Sequence, residues 1–145
     1  RIEKGHATGN ELNGTTTALS LGMGRLVSTQ KDSIGAVLSR RDGLTGDDVL
    51  KLVGFKPCRT SDPVPAGSHL MNKGSPIDAK HDQGYVTSAC YSPTLGHHIA
   101  IGFLKAGDQR LGEIVRLVSP LTNIEHDVEV VSAHFVDPEG NKLRA

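Results

Sequence analysis

The chain has 145 residues, with 16 lysines and arginines against 16 aspartates and glutamates, for a formal net charge of zero with its seven histidines neutral. That is the length of about one domain, and no basic run is interleaved with aromatics, which excludes a nucleic-acid or anionic-membrane partner held by charge. The longest apolar stretch, "HHIAIGFL", falls far short of the roughly 20 residues a membrane-spanning helix needs.

The N-terminus carries no signal-peptide pattern, and Cys58 and Cys90 have no CxxC spacing. The expectation is a soluble, cytoplasmic chain with free thiols, without nucleic-acid or membrane partners. It starts without Met and in mid-pattern, at "RIEKGHATGNELNG", which suggests a piece of a longer polypeptide. Aromatic residues make up only 3%, which limits any site that must stack a flat ring.

Two helical signals come first. In "TTTALSLGMGRLVS" threonines lead into the apolar positions. In "KDSIGAVLSRRDG" Asp32 or Ser33 can cap a helix with Ile34, Val37 and Leu38 on one face before Gly43 stops it. Both read as short helices on an arm over residues 1–47. From Val49 the apolar period falls to two and turn residues recur, in "DPVPAG", "NKGSP", "KAGD", "LTN" and "DPEGN".

Six strands are predicted: "VLKLVGFKP", "GSHLM", "GYVTSACYS", "HHIAIGFLKA", "EIVRLVSP" and "DVEVVSAHFV". Six short strands with little helix between them predict a mainly β fold, a small closed barrel or a sandwich in place of a parallel sheet, and an antiparallel barrel over residues 48–145 is the expectation adopted. In the fourth strand Ile99, Ile101 and Phe103 share one face and Ala100, Gly102 and Leu104 the other, so the arm helices are expected to cover its outer side. Val53, Phe55, Val86, Ile99, Ile101, Val115, Leu117 and Val130 are the predicted core.

The third strand raises the question of chemistry. "GYVTSACYSPTLGHH" brings hydroxyls, a thiol and two histidines close together. Simple alternation puts Val86, Ser88, Cys90 and Ser92 on one face and Tyr85, Thr87, Ala89 and Tyr91 on the other. A nucleophile is usually held on a sharp turn beside a base, and no GxSxG elbow is present. A hydrolase using Cys90 with His97, or Ser88, is therefore the weaker reading. A packed cysteine and backbone-bonded hydroxyls at the barrel rim are the stronger one. "SPTLG" reads as the corner between two strands, with Gly96 at positive φ. His97 and His98 point to opposite faces, and no HxH or HxxxH spacing occurs elsewhere, so no metal site is expected. "GMGRLV" lacks the third glycine of a dinucleotide fingerprint.

Taken in order, "RIEKG", "GNELNGTTTALSLGM", "KDSIG" and "GYVTSACYSPTLGHHIAIGFL" resemble the C-terminal region of the aminomethyltransferase family, the glycine cleavage T protein and its relatives. The resemblance covers nearly the whole chain. Within the family, "RIEKGH", "ELNGTTTA" and the ending "FVDPEGNKLRA" look most like a branch built into a multi-subunit amine oxidase. It implies that the strands form a Greek-key barrel over tetrahydrofolate-binding domains, where a one-carbon unit from an oxidised amine is captured. It also implies NAD and flavin elsewhere in the complex, upstream domains and other subunits as partners, and no catalytic residue in this chain.

Ser20 stands where the family carries an acidic residue, and Arg25 where it often has an aromatic one. Arg25 and Tyr91 are the candidate cofactor contacts. Arg25 would pair its guanidinium with the folate glutamate tail, or else be a solvated arginine at a helix end. A docking module that binds no small molecule is the other class kept open.

Overall fold

The computed structural model describes residues 1–28 and 30–144. Among these, six strands close into an antiparallel barrel: β1 (Leu50–Pro57), β2 (His69–Met71), β3 (Asp82–Ser92), β4 (His97–Lys105), β5 (Ile114–Ser119) and β6 (Ile124–Val131). Their order around the barrel is β1-β4-β3-β2-β5-β6, with β6 pairing back onto β1. β2, β3 and β4 are sequential neighbours, and β1 lies beside β4 through a long connection, which is a Greek key.

Two hairpins follow from local chemistry. At the β3–β4 corner the Gly96 amide bonds the Ser92 carbonyl at 2.8 Å with Gly96 at φ 73°, and the Ser92 hydroxyl accepts from the Leu95 amide. At the β5–β6 corner the Thr122 amide bonds back to the Ser119 carbonyl.

All eight predicted core residues are buried, but they fall into two clusters. The barrel interior holds Val53, Phe55, Leu70, Val86, Leu104, Val115, Leu117, Val128 and Val130. Ile99 and Ile101 pack outside it, with Ile2 and Ala133 and against Leu52, Cys90 and Phe135. β4 is thus covered on both sides, as its doubly apolar pattern required. The cover is not the arm helices but the first residues of the chain and the segment after β6.

Four sequence expectations are corrected. "TTTALSLGMGRLVS" forms successive turns ending in one 3-10 turn, Gly24–Leu26, because Gly22 takes a positive φ and Gly24 follows at once. The second helix, α1 (Ile34–Leu38), is capped as expected by Ser33, whose hydroxyl accepts from the Ala36 amide, but Ile34 and Val37 are exposed rather than packed on the barrel. The sixth strand begins at Ile124 rather than Asp127 and ends at Val131. Ala133, Phe135 and Val136 leave the ladder to run along the outside of the barrel.

The fourth correction matters most for the chemistry. The pairing of β3 with β4 shifts between Val86 and Ser88, so Thr87 is the extra residue of a bulge. Val86 therefore faces the interior with Ala89, while Ser88 and Cys90, opposite Ile101 and Ile99, face out.

Gly102 sits where two strands and a ring converge. A Cβ there would lie 2.2 Å from the Tyr85 carbonyl oxygen and 3.1 Å from Phe55 Cε2. Backbone cannot yield as a flexible side chain would, so Gly102→Ala is expected to destabilise the barrel more than a surface substitution does, by well over about 0.5 kcal/mol. Ile101→Ala should cost about 2–5 kcal/mol, because Ile101 is fully buried in the outer cluster. Urea denaturation of each variant checks both. A loss within the surface range for either would show that its site relaxes freely.

Candidate functional site

The polar groups of this protein converge on the outer face of β3, beneath the start of the chain. Residues 1–6 lie between that face and the segment after β6. The Phe135 and Val136 amides donate to the Glu3 carbonyl at 3.0 and 2.9 Å, and His134 Nδ1 donates to the Lys4 carbonyl at 2.8 Å. Lys4 Nζ reaches both the carbonyl and the carboxylate of Asp137. Ile2 supplies the apolar contact beneath.

Glu11 is the centre of the arrangement and is wholly buried. Ser88 Oγ donates to its Oε1 at 2.6 Å, and the Thr8 amide donates to Oε2 at 2.7 Å. Arg1 Nη1 pairs with Oε2 at 3.2 Å, while Nη2 donates to Ser88 Oγ at 2.6 Å. One guanidinium, one hydroxyl and one carboxylate thus form a closed ring of bonds between the N-terminal segment and β3. Burial pushes the Glu11 carboxyl up, but the hydrogen bonds led by Ser88, with the Arg1 charge, outweigh it and leave it below the ordinary glutamate value. The ring favours the ionised form of the carboxylate.

A second bond of the same kind joins Ser92 Oγ to Glu3 Oε1. Hydrogen bonds from Ser92 and Thr94 lower the Glu3 carboxyl. Two of the three hydroxyls expected to bond backbone at the rim do so: Thr87 Oγ1 donates to the Ile101 carbonyl, and Ser92 Oγ accepts from the Leu95 amide while donating to Glu3, whereas Ser88 serves the Glu11 carboxylate. Glu11 was missed from the sequence because a glutamate in "GNELNG" carries no mark of burial. Ser88 becomes visible as its partner only once the bulge turns that serine outward.

Arg25 lies on the 3-10 turn with its side chain exposed, and among the described residues it forms no ion pair or hydrogen bond. It lines a cavity of about 400 Å³ with Met23, Leu52, Leu111 and His134. Tyr91, near the end of β3, is 55% exposed and meets the edge of the His98 ring at 5.5 Å between centroids. It does not line the cavity beside Arg25. A different cavity of about 310 Å³ opens between the arm and the barrel, floored by Tyr85 and Phe103 and edged by Thr15, Thr16 and Asp48.

The nucleophile reading loses support from the register. Cys90 pairs with Ile99, and His97 pairs with Ser92 while its Nδ1 bonds the His98 carbonyl. Burial, then the Glu3 charge, pushes the Cys90 thiol up, away from the thiolate. Both cysteines are free thiols. Among the described residues no three histidine, cysteine or acidic side chains could hold a metal ion, and no helix is long and apolar enough to cross a membrane.

The family described as the glycine cleavage T-protein C-terminal barrel domain matches residues 51–137, which span all six strands. The chain belongs to that family. It is also similar to curated proteins along nearly its whole length. One is the sarcosine oxidase subunit alpha of Rhizobium meliloti (strain 1021), 40% identical over 99% of this chain and 15% of that protein. Another is the sarcosine oxidase subunit alpha of Corynebacterium sp. (strain P-1), 33% identical over 98% and 15%. The aminomethyltransferase of Halothermothrix orenii is 34% identical over 94% of this chain and 36% of that one.

Among solved structures, the glycine cleavage system aminomethyltransferase T of Bartonella henselae superposes with a TM-score of 0.72 over 95% of this chain at 23% identity, a likeness of fold. The amine-oxidase branch expected from "RIEKGH", "ELNGTTTA" and "FVDPEGNKLRA" is that of the sarcosine oxidase alpha subunits. This chain spans about 15% of their length.

The Glu11 ring makes a testable demand on pH. A carboxyl lowered in the folded state contributes stability that is present above the unfolded glutamate value, about pH 4.3, and is lost as pH falls through the folded value. Glu11→Gln should therefore cost about 1 kcal/mol or more at pH 7, and the gap to wild type should close as pH drops below about 4. Glu3, Asp78, Glu113 and Asp137 are lowered too, so both proteins still lose stability in acid. Urea midpoints across pH 3 to 7 supply the comparison. A gap constant with pH would mean that the carboxylate charge contributes nothing.

Proposed function

We propose that this barrel and its arm form one wall of a tetrahydrofolate-dependent site in a longer, sarcosine oxidase-like polypeptide. There the one-carbon unit of oxidised sarcosine passes to tetrahydrofolate. The observation that carries the reading is the similarity to a sarcosine oxidase alpha subunit along 99% of this chain, joined to relatives named as aminomethyltransferases. In this reading residues 1–47 belong with the preceding folate-binding domain and residues 48–145 are the barrel domain. NAD and flavin sit elsewhere in the complex.

The distribution of apolar surface supports that division. The barrel closes its own core, whereas the arm leaves Leu26, Ile34, Val37 and Leu12 exposed, at 75, 81, 61 and 54%. Apolar side chains gathered in one segment favour a cover, and the upstream domains of the same polypeptide are the cover proposed. A docking module for other subunits rests on the same residues and is the second reading.

The described residues do not build a pterin slot. Tyr85 and Phe103 are tilted by 48° at 5.9 Å and make one wall, and Tyr91 is exposed against a histidine edge. No step of folate chemistry is assigned to this chain. Its contribution is to exclude water from a reactive iminium that would otherwise hydrolyse. In this reading Arg25, unpaired among the described residues, would pair with the carboxylates of the folate tail, with Tyr91 as a separate contact.

Calorimetric titration decides between the readings. The isolated chain should not bind tetrahydrofolate in the micromolar range, and the full-length protein should. Micromolar one-to-one binding to the isolated chain, about −8 kcal/mol, would place the pocket here instead of upstream. In the full-length protein Arg25→Ala should raise the KM for tetrahydrofolate several-fold and leave kcat in place. An unchanged KM removes Arg25 from the site, and absence of folate binding by the full-length protein favours the docking module.

A further inference from the structure

The cavity over Tyr85 and Phe103 has a chemical bias that the folate reading does not use. Its walls are held by both halves of the chain: the Leu52 amide bonds the Ser20 carbonyl at 2.7 Å, and the Ala106 amide bonds the Val49 carbonyl at 3.2 Å. The space between is about 310 Å³, at the small end of ligand cavities, and fits a body of about one ring.

The hydroxyls that edge this cavity have already committed their protons. Thr15 Oγ1 donates to Asn13 Oδ1 at 2.7 Å, and that oxygen also accepts from the Thr15 amide. Thr16 Oγ1 donates to the Glu11 carbonyl at 2.8 Å, and Ser20 Oγ to the Thr17 carbonyl at 2.8 Å. Carbonyl oxygens accept only, so each of these protons points away from the cavity and leaves lone pairs or nothing to offer.

Asp48 adds a carboxylate, exposed and without an ion pair among the described residues. Asp48 also lines an adjoining cavity with two basic groups, and both are engaged: Arg110 by Glu113 and Asn72, and Lys105 by the Asp82 carbonyl. Apart from the Tyr85 phenol, the side chains at this site present acceptors and one negative charge over two aromatic rings.

We propose that this cavity is a binding site for a small organic ammonium ion with an apolar body. The ammonium protons would go to Asp48 and the threonine oxygens, and the body would lie against the half-buried Tyr85 ring, which also attracts a cation, with the buried Phe103 beside it. An anion finds repulsion here, and a neutral ligand leaves the Asp48 charge unanswered. The inference does not depend on the folate reading, since it uses no residue assigned to that site.

The test is calorimetric titration of the full-length protein with 2-phenylethylammonium, against 2-phenylethanol and phenylacetate as neutral and anionic counterparts of the same body. One site per chain is expected that Asp48→Asn weakens about tenfold, that Tyr85→Leu also weakens, and that phenylacetate does not occupy. Asp48 is exposed outside the strands, so Asp48→Asn should leave the circular dichroism unchanged and isolates the charge even if Tyr85→Leu fails to fold. An amine site elsewhere in the longer protein is recognised by its indifference to Asp48→Asn. The proposal fails if no Asp48-dependent binding is seen, or if 2-phenylethanol binds as tightly as the ammonium ion.

Discussion

β4 is apolar on both faces, and the rest of the structure is arranged around that constraint. Val53, Phe55 and the other interior residues cover one side within the barrel. The other side, with Ile99 and Ile101 fully buried, needs atoms that the six strands do not supply. Ile2 and the segment carrying Ala133 and Phe135 supply them. Two fully buried isoleucine side chains represent several kcal/mol of burial, so this outer layer is part of the fold and not an appendage.

Covering an apolar face with an irregular segment creates a difficulty, because such a segment brings polar backbone and charged side chains with it. The Glu11 ring answers part of it. The carboxylate takes the Thr8 amide, the Ser88 hydroxyl and the Arg1 guanidinium together, so a buried charge is matched by donors from two elements that lie far apart in the chain. The paired backbone of Glu3 with residues 135 and 136 answers another part. The outer layer is therefore tied by hydrogen bonds where the barrel interior is tied by packing.

That division bears on function. In a chain spanning about 15% of its sarcosine oxidase relatives, the strands close the barrel interior, while the arm gives Ile2 and Glu11 to the outer layer and leaves Leu12, Leu26, Ile34 and Val37 unburied. A closed barrel beside an arm with apolar surface left to bury is consistent with the wall proposed above. The acceptor-lined cavity lies where these two parts meet, walled by a strand edge on one side and arm turns on the other.

Much of this was determined by the amino-acid sequence itself. The period-two runs from Val49, the turn residues between them and Gly96 at the hairpin specify six antiparallel strands, because alternation and turn geometry are local properties. The apolar identity of Ile99 to Leu104 likewise announces a strand covered twice. Tertiary structure alone decided which segment does the covering, where β6 ends, and which way Ser88 faces. The bulge at Thr87 reverses the alternation of everything after it, and no rule within "GYVTSACYS" marks which residue will be the extra one, since that depends on the register of β4 alongside. The same holds for Glu11: its burial and ionisation come from partners at positions 1, 8 and 88, brought together only by folding.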